Sequence, residues 1–297
     1  MERQIRRKNL PALTRRATSV TKEVRGSGPA SVQKRRCAPS HSSHARDLPM
    51  PPPQRPFRRI LPFAPALALF VACASLIPTS PAADSGPTYA TGAKTRDGLG
   101  KYYFGREIAS YMTHEGAPWL DRPEREQEER PDLVMKALQL KPGDIVADVG
   151  CGTGYFSWRM AQAVAPKGLV YGVEIQQEML DLLAVKMKER GVSNVAGVLG
   201  AIDDPKLPQP VDLVLLVDVY HECSHPAEML AAICRSLKPG GRVVFVEYRG
   251  EDPSVPIKPL HKMTEAQVKK EMSAQPLVYV ETIRTLPRQH VIIFQKP

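Results

Sequence analysis

The residues best suited to chemistry lie in the stretch IVADVGCGTGYFSW. Gly150, Gly152 and Gly154 occupy alternate positions there, and Asp148 comes two residues before the first glycine. Glycines allow positive φ angles and a close approach of the backbone to a ligand, and a following helix offers free amides to a carboxylate or phosphate. Glu174 ends the next apolar run, where an acid can accept both hydroxyls of a ribose. The spacing therefore predicts a nucleotide-binding turn.

A second reactive stretch, HECSH, starts at His221 and matches the zinc-protease pattern His-Glu-x-x-His. That chemistry requires both histidines one turn apart on the same helix face. Here the stretch directly follows an apolar run, and Pro226, a residue favoured in the first turn of a helix, comes next. We predict a strand-to-helix turn on which the rings of His221 and His225 do not converge, and therefore no metal site.

Alternating apolar runs and amphipathic segments follow Asp144 and would position these residues. The apolar runs are IVADVGC, LVYGVEI, VAGVLGA, VDLVLLVDVY and RVVFVEYR, and the helical segments cover 153–165, 176–190, 225–237 and 264–274. Strands that are apolar on both faces and separated by helices form a parallel sheet covered on both sides. Two final runs, LVYVETIRTLP and QHVIIFQKP, flank a tight turn at Pro287-Arg288 and predict an antiparallel hairpin. The pattern predicts a doubly wound α/β domain over residues 141–297.

The glycine spacing separates two classes of nucleotide site. The dinucleotide fingerprint is Gly-x-Gly-x-x-Gly, whereas here the third glycine comes one residue earlier and an aspartate precedes the first. Together with Glu174, VDLVLLVDV and LKPGG, the stretch DVGCGTG resembles the class I S-adenosylmethionine-dependent methyltransferases over residues 130–297, particularly the small-molecule branch that contains the quinone-biosynthesis enzymes. The resemblance implies a Rossmann-like fold with a mostly parallel seven-stranded sheet and an antiparallel C-terminal hairpin. It also implies S-adenosylmethionine as the cofactor.

The resemblance assigns roles to the glycine turn and to the residues near it. Gly150 and Gly152 would pass the methionine part of the cofactor, Asp148 would support its ammonium end through the loop, and Glu174 would hold the ribose. The predicted cofactor-binding residues in and before the turn are Asp148, Gly150, Cys151, Gly152 and Gly154.

Adenine would be bound after the third strand, where the chain departs from the family pattern. Related proteins usually have Gly-Asp-Ala and then Leu-Pro, whereas this chain has GAIDDPKLP. We predict that Asp203 contacts the adenine amino group and that Ile202 lies against the ring. Asp204 is a nearly equal alternative to Asp203.

The end of the fourth strand faces the transferred methyl group in this family, so the resemblance places the acceptor side there. The predicted catalytic residues are Asp218, Tyr220 and His221, with Glu222 beside them. A histidine that titrates near neutrality suits a general base for an oxygen or nitrogen acceptor. Because methyl transfer from a sulfonium needs mainly alignment, a reaction without any base is an equal alternative.

The acceptor is expected beneath two segments, 101–120 and 251–264. The first contains Tyr102, Tyr103, His114 and Trp119, and the second contains Lys258, His261 and Lys262, which suit an anionic acceptor. We predict methyl transfer to an O, N or C nucleophile of a small molecule. An NAD-type oxidoreductase, disfavoured by the glycine spacing and the hairpin, and a non-catalytic exported nucleotide-binding module are the alternatives. No pattern predicts the oligomeric state.

The net charge of +10 is concentrated at one end of the 297-residue chain. Residues 1–60 carry 15 Lys/Arg and 3 Asp/Glu, which leaves 26 and 28 for the remainder. A surface that binds nucleic acid keeps its basic patch on the folded domain. The distribution therefore predicts no nucleic-acid partner.

The N-terminal residues predict a targeting segment. Residues 1–59 are rich in Arg, Ser and Pro and lack apolar periodicity, which is typical of a disordered extension. Residues 60–83 combine an apolar run with preceding arginines and following small residues, the arrangement of a signal peptide and its cleavage site. Pro62 and Pro65 limit the uninterrupted apolar part to about 12–14 residues, short of the roughly 20 that span a bilayer. No stable membrane span is expected.

These features predict an exported protein, either periplasmic or lipid-anchored. Met50 directly precedes the signal, so translation is expected to start there and residues 1–49 would be a mis-assigned extension. An organellar transit peptide, a lipoprotein site at Cys73 and a twin-arginine signal at Arg58-Arg59 are alternative interpretations. A cytoplasmic product that starts beyond the signal is the alternative location.

Between the signal and the α/β domain we predict a linker and a helical cap. Residues 84–100 are polar and glycine-rich, which is typical of a linker. Residues 101–140 form the predicted cap, with helices over 105–114 and 122–140.

Overall fold

The computed structural model describes residues 89–297. The predicted basic extension (1–59), the predicted signal region (60–83) and the first five residues of the predicted linker lie outside this range. Within it, every helix is too short or too polar to cross a bilayer.

The described range begins with a small antiparallel sheet. Its strands are β1 (Tyr89–Thr91), β2 (Gly98–Tyr103) and β3 (Arg106–Ala109), with β2 in the centre. The predictions of a linker up to residue 100 and of a helix over 105–114 are therefore wrong. Phe104 and Gly105 have φ angles of 50° and 90°, which suit a tight hairpin turn whose twist matches that of the flanking strands. The glycine was the available signal, since periodicity in so short an apolar run does not separate helix from strand.

Three short helices follow, and the second and third take the place of the predicted helix over 122–140. They are α1 (Ala117–Leu120), α2 (Arg125–Glu128) and α3 (Pro131–Leu138). Arg130 adopts a left-handed backbone conformation with φ of 52°, immediately before Pro131. A residue before proline is disfavoured in the helical region, and proline suits the first turn of a new helix. The predicted cap over 101–140 is thus a strand hairpin followed by three helices.

A seven-stranded sheet forms the centre of the α/β domain. Its strands are β4 (Ile145–Val149), β5 (Leu169–Glu174), β6 (Val195–Leu199), β7 (Val211–Val217), β8 (Leu237–Tyr248), β9 (Val278–Ile283) and β10 (Gln289–Gln295). The order is β6-β5-β4-β7-β8-β10-β9, and only the pairs that involve β10 are antiparallel. The predicted doubly wound sheet with an antiparallel C-terminal hairpin is confirmed. The hairpin loop is longer than the predicted tight turn and covers 284–288.

Helices cover both faces of this sheet. They include α4 (Ser157–Val164), α5 (Gln177–Glu189), α6 (Pro226–Ser236) and α7 (Glu265–Met272). One face packs against apolar side chains of α6 and α7, such as Leu230 and Met272, and the other against α3 and α4, such as Leu138 and Met160. Burial on both faces explains the nearly continuous apolar strands. It also fixes the carboxyl ends of β4, β5 and β7 side by side, where the candidate site lies.

Candidate active site

A cavity of about 750 Å³ lies at the carboxyl ends of β4, β5 and β7. Doubly wound folds bind their ligands at this edge, and sites for cofactors and small molecules commonly measure about 300–1,000 Å³. The glycine turn after β4 forms one wall. The other walls include Glu174, Asp218, His221 and Glu222, together with residues of the segments before α2 and after β8.

The turn after β4 requires glycine at its first position. Gly150 has a φ of +71°, and a Cβ atom there would lie 2.4 Å from Cγ2 of Val219. The amides of Gly150 and Cys151 donate to the carbonyl of Val173, at 2.9 and 3.1 Å, and tie the turn to β5. Gly152 also has positive φ, at +51°. The backbone of Gly150, Cys151 and Gly152 lines the cavity at the place predicted for the methionine part of the cofactor. Gly154, also predicted to bind the cofactor, does not line the cavity and packs against α5 instead.

Asp148 is the last residue but one of β4 and lies in the wall of the cavity. It is 3% exposed, and its Oδ2 accepts a hydrogen bond of 2.6 Å from the hydroxyl of Ser157. Burial raises the pKa of Asp148 to about 6, although the hydrogen bond from Ser157 opposes the shift. The predicted placement beside the turn agrees with the structure. Its support of the ammonium group stays a prediction.

Glu174 joins the end of β5 to the glycine turn. Its Oε1 accepts from the amides of Ile175 at 2.8 Å and Gln176 at 3.2 Å, and its Oε2 accepts from the amide of Gly152 at 3.3 Å. Burial raises its pKa, and these amide hydrogen bonds oppose that shift. A carboxylate has about four acceptor positions, so one on Oε2 is left to face the cavity. That position suits a ribose hydroxyl.

The two residues predicted to contact adenine are placed differently. Ile202 lines the cavity and is 50% exposed, which suits a side chain that a flat ring would cover. Asp203 is exposed and is not among the residues that line the cavity. Asp204 accepts from the amide of Lys206 at 2.7 Å and stabilises its own loop. The structure therefore gives no support to either aspartate as the adenine contact.

Gln176 is a cavity residue that the sequence reasoning missed. Its Oε1 accepts from the amide of His114 at 2.8 Å, and its Nε2 donates to the carbonyl of Met112 at 3.0 Å. The side chain thereby holds the covering segment before α1 against the end of β5. Its position two residues after Glu174, at the same strand end, was the signal that could have identified it.

Asp218 lies at the end of β7 and lines the cavity. It has a left-handed backbone with φ of 53°, and its Oδ2 accepts from Nε2 of Gln289 at 2.6 Å. Its buried Oδ1 has no partner within the described residues 89–297. Burial and the nearby carboxylates of Glu129 and Glu247 raise its pKa well above the usual range. The environment of Asp218 thus disfavours its ionised form, which weakens the prediction of a catalytic base at this position.

Tyr220 does not line the cavity, in contrast to the prediction of a catalytic role. Its hydroxyl donates to Oε2 of Glu271 at 2.6 Å, and Glu271 also pairs with Arg106 of β3. The ring is completely buried against Phe245. Tyr220 therefore ties the turn after β7 to α7, and a role at the reacting atoms finds no support.

His221 presents one ring nitrogen to the cavity. Its Nδ1 lies 2.6 Å from Oε2 of the fully buried Glu247, and an ionised carboxylate only accepts, so the proton is on Nδ1. Nε2 then carries no proton and lies 3.3 Å from Nδ1 of His261. Burial alone lowers the pKa of His221, but the Glu247 carboxylate outweighs burial and raises it. A histidine oriented by a carboxylate in this way is suited to remove a proton from an acceptor.

The predicted strand-to-helix turn at the HECSH stretch is confirmed. Tyr220–Glu222 form a single 3-10 turn, and α6 begins only at Pro226. The ring of His225 lies outside the cavity and contacts Oγ of Ser224 through Nδ1, at 3.0 Å. The two histidines therefore do not share a helix face.

The covering segments contribute fewer of the predicted side chains than expected. Trp119, Lys258 and His261 line the cavity, but Lys258 pairs with Asp97 at 2.6 Å. Tyr103 is buried in the small sheet, and Lys262 donates to carbonyls of its own loop. The cavity is instead covered mainly by apolar side chains, which include Leu99, Tyr111, Met112, Leu120 and Ile257.

Comparisons with known proteins identify the family. Residues 140–290 match the family model described as methyltransferase domain. The chain is 33% identical over 115 residues to a demethylmenaquinone methyltransferase of Geobacillus sp. (strain WCH70), which covers 38% of this chain and 49% of that protein. The corresponding protein of Lactococcus lactis subsp. lactis (strain IL1403) is 31% identical over 125 residues, or 42% and 49%. The chain thus spans about half the length of these curated relatives.

A solved structure gives the same fold. A SAM-dependent methyltransferase from Aquifex aeolicus matches with a TM-score of 0.59 and 23% sequence identity, over 63% of this chain and all of the other. The fold and the glycine turn define a class I S-adenosylmethionine-dependent methyltransferase. The chain belongs to the methyltransferase domain family, and S-adenosylmethionine is its cofactor. Neither the oxidoreductase nor the non-catalytic alternative is supported.

The residues present fit this cofactor. The backbone of Gly150, Cys151 and Gly152 lines the cavity and is open to a ligand there. Glu174 keeps an acceptor position for a ribose hydroxyl, and Asp148 provides a carboxylate behind the turn. Ile202 offers an apolar surface to the adenine ring.

Proposed function

We propose that the chain methylates an O, N or C nucleophile of a small molecule. The observation that carries this proposal is the continuity of the cavity, which has the glycine turn and Glu174 on one side and His221 on the other. The segments before α2 and after β8 cover it, and its volume is typical of a cofactor and small-molecule site.

The bound cofactor supplies an electrophilic methyl group on a positively charged sulfur. The chain contributes alignment, since Glu174 and the glycine turn hold one reactant while the covering segments confine the other. His221 accepts the acceptor's proton at Nε2, and Glu247 fixes the tautomer through Nδ1. Asp218 lines the same cavity, and its Oδ1, which has no partner within residues 89–297, is available to a polar group of the acceptor.

Part of the acceptor side of the cavity is formed by residues that the family match does not cover. The segment 96–129, which forms one wall of the cavity, precedes the matched range of 140–290. The names of the curated relatives refer to demethylmenaquinone, and the apolar cover makes a ring compound of that kind the first acceptor to assay.

A labelling experiment tests the class of acceptor. The full-length chain is incubated with S-adenosylmethionine labelled in its methyl group and a cell extract separated into small molecules, RNA and protein. We expect label in the small-molecule fraction. We also expect a Glu174→Gln variant to transfer little label and His225→Ala, which lies outside the cavity, to match the native chain. Label confined to RNA or protein contradicts the proposal.

We also propose export of the chain, on the support of the arginines, apolar run and small residues of segment 60–83. Cell fractionation of a C-terminally tagged full-length chain, followed by N-terminal sequencing, tests this. A mature start close to residue 83 is expected. An uncleaved chain in the cytoplasm contradicts it.

A further inference from the structure

Three potential metal ligands converge at the acceptor end of the cavity. His221 Nε2 lies 3.3 Å from His261 Nδ1, His261 Nδ1 lies 3.1 Å from Glu222 Oε1, and His221 Nε2 lies 3.8 Å from the same oxygen. His221 and Glu222 belong to the 3-10 turn after β7, and His261 ends another 3-10 turn after β8. The cluster therefore contains the first two residues of HECSH, with His261 in place of His225.

The spacing of these three atoms fits one tetrahedral ion. Zinc–nitrogen and zinc–oxygen bonds measure about 2.0–2.2 Å, so two ligands of a tetrahedral ion lie about 3.4 Å apart. The three observed separations, 3.1, 3.3 and 3.8 Å, lie on both sides of that value. An ion about 2.1 Å from all three atoms fits this triangle without movement of the backbone. Two histidines and one glutamate are also a ligand set of catalytic zinc, which keeps its fourth position open.

The surroundings of His221 match those of a metal-binding histidine. A ligating imidazole usually donates its other N–H to a carboxylate, which fixes the tautomer and the ring. Glu247 has this place at 2.6 Å from Nδ1, and its Oε1 in turn accepts from the amide of Tyr220 at 3.1 Å. The negative charges of Glu222 and Glu247 offset the charge of a divalent cation. Nε2 is thereby left as the atom that faces the other two ligands.

We propose that His221, Glu222 and His261 bind a divalent zinc-type ion whose fourth position opens into the cavity. All three residues line that cavity, together with Glu174 and the glycine turn. Because the ion occupies Nε2 of His221, that nitrogen no longer accepts the acceptor's proton in the metal-bound chain. The ion instead binds a hydroxyl and lowers its pKa, and the proton passes to solvent water. The inference narrows the acceptor to a compound with a hydroxyl group. This narrowing, unlike the metal site itself, rests on the proposed function.

Cobalt and zinc titrations of the full-length, chelator-treated chain test the site. Tetrahedral Co²⁺ has visible absorption bands, and Zn²⁺ should displace it. We expect one Co²⁺ per native chain and loss of those bands in His261→Ala. Glu247→Gln should weaken binding by about 10- to 100-fold, because changes in partners of a ligand typically have this effect. His225→Ala is the matched control within HECSH and should bind like the native chain.

Binding of S-adenosylmethionine, measured on the same samples, separates the possible failures. Unchanged cofactor binding in His261→Ala shows that the variant is folded, so loss of cobalt then reports on the ligand. Absence of Co²⁺ binding by the native chain overturns the metal site and leaves the proposed function intact. Equal cobalt binding in His261→Ala and the native chain also overturns the proposed metal site. So does cobalt binding that is weakened in His225→Ala but not in the other variants. A native chain that binds the metal but not the cofactor contradicts the proposed function instead.

Discussion

Replacement of Glu174 by glutamine is the most informative single change in the cofactor site. The carboxylate accepts three backbone amides, two on Oε1 and one, from Gly152, on Oε2. Glutamine keeps one oxygen for the amides of Ile175 and Gln176. Its NH2 group replaces Oε2 and faces the amide of Gly152, so two donors oppose each other there. The substitution also removes the negative charge.

The structure sets the size of the effect. One acceptor position on Oε2 remains for a ribose hydroxyl after the amides are satisfied. A hydrogen bond to a charged group contributes about 1.5–3 kcal/mol, and its loss corresponds to about a 10- to 150-fold increase in Kd. Burial raises the pKa of Glu174, so the affinity of the native chain should also fall as the pH is lowered and the carboxylate is protonated.

The assay is calorimetric titration of the full-length variants with S-adenosylmethionine. Glu178→Gln, at an exposed position four residues further along, is the matched control and should leave the Kd unchanged. Thermal unfolding of both variants reports on folding. A Glu174→Gln variant that is folded and binds within about threefold of the native Kd would refute the assignment of Glu174 to the ribose.

Two further predictions concern the stability of the same turn. Gly150→Ala places a Cβ 2.4 Å from Val219 at a φ of +71° and should lower the free energy of unfolding by about 2–5 kcal/mol in denaturant titrations. Gly191→Ala, with a φ of +65° and open space, should cost only about 1–2 kcal/mol, and equal losses would contradict the steric argument. The pKa of Asp148 is raised from 3.8 to about 6, so the folded chain binds this proton more tightly than the unfolded chain does. The shift adds ~3 kcal/mol to the free energy of unfolding below pH 3.8, and this contribution is lost as the pH rises through 6. The difference in unfolding free energy between the native chain and Asp148→Asn should therefore fall by most of that amount between about pH 4 and 7, and a constant difference is the contrary result.

The sheet was predictable because its strands are apolar on both faces. A strand that is covered by helices on both faces requires apolar residues at nearly every position, as in Val211–Val217. Such a run is a distinctive signal of a central parallel strand. The glycine turn was predictable for a related reason, since Gly150 adopts a conformation and occupies a space that other residues do not tolerate. Both signals are local in the sequence.

The strands at residues 89–109 were missed because their signal is weak. Each strand is short, and its partner is required to decide between a helix and a hairpin. Only the Phe104-Gly105 turn pointed to the correct answer.

The acceptor side depends on contacts between distant segments. The direction of Tyr220 is set by Glu271 and, through it, by Arg106, which is 165 residues from that glutamate along the chain. His261 reaches His221 from a loop 40 residues away, and no local pattern connects them. Such contacts arise from the fold, and spacing in the sequence does not predict them.

Calorimetric titration of the full-length native chain with S-adenosylmethionine, S-adenosylhomocysteine and NAD tests the cofactor assignment most directly. We predict one micromolar site for each adenosyl ligand and no saturable binding of NAD. Failure of both adenosyl ligands to bind, whether or not NAD binds, would contradict the account of the glycine turn and Glu174.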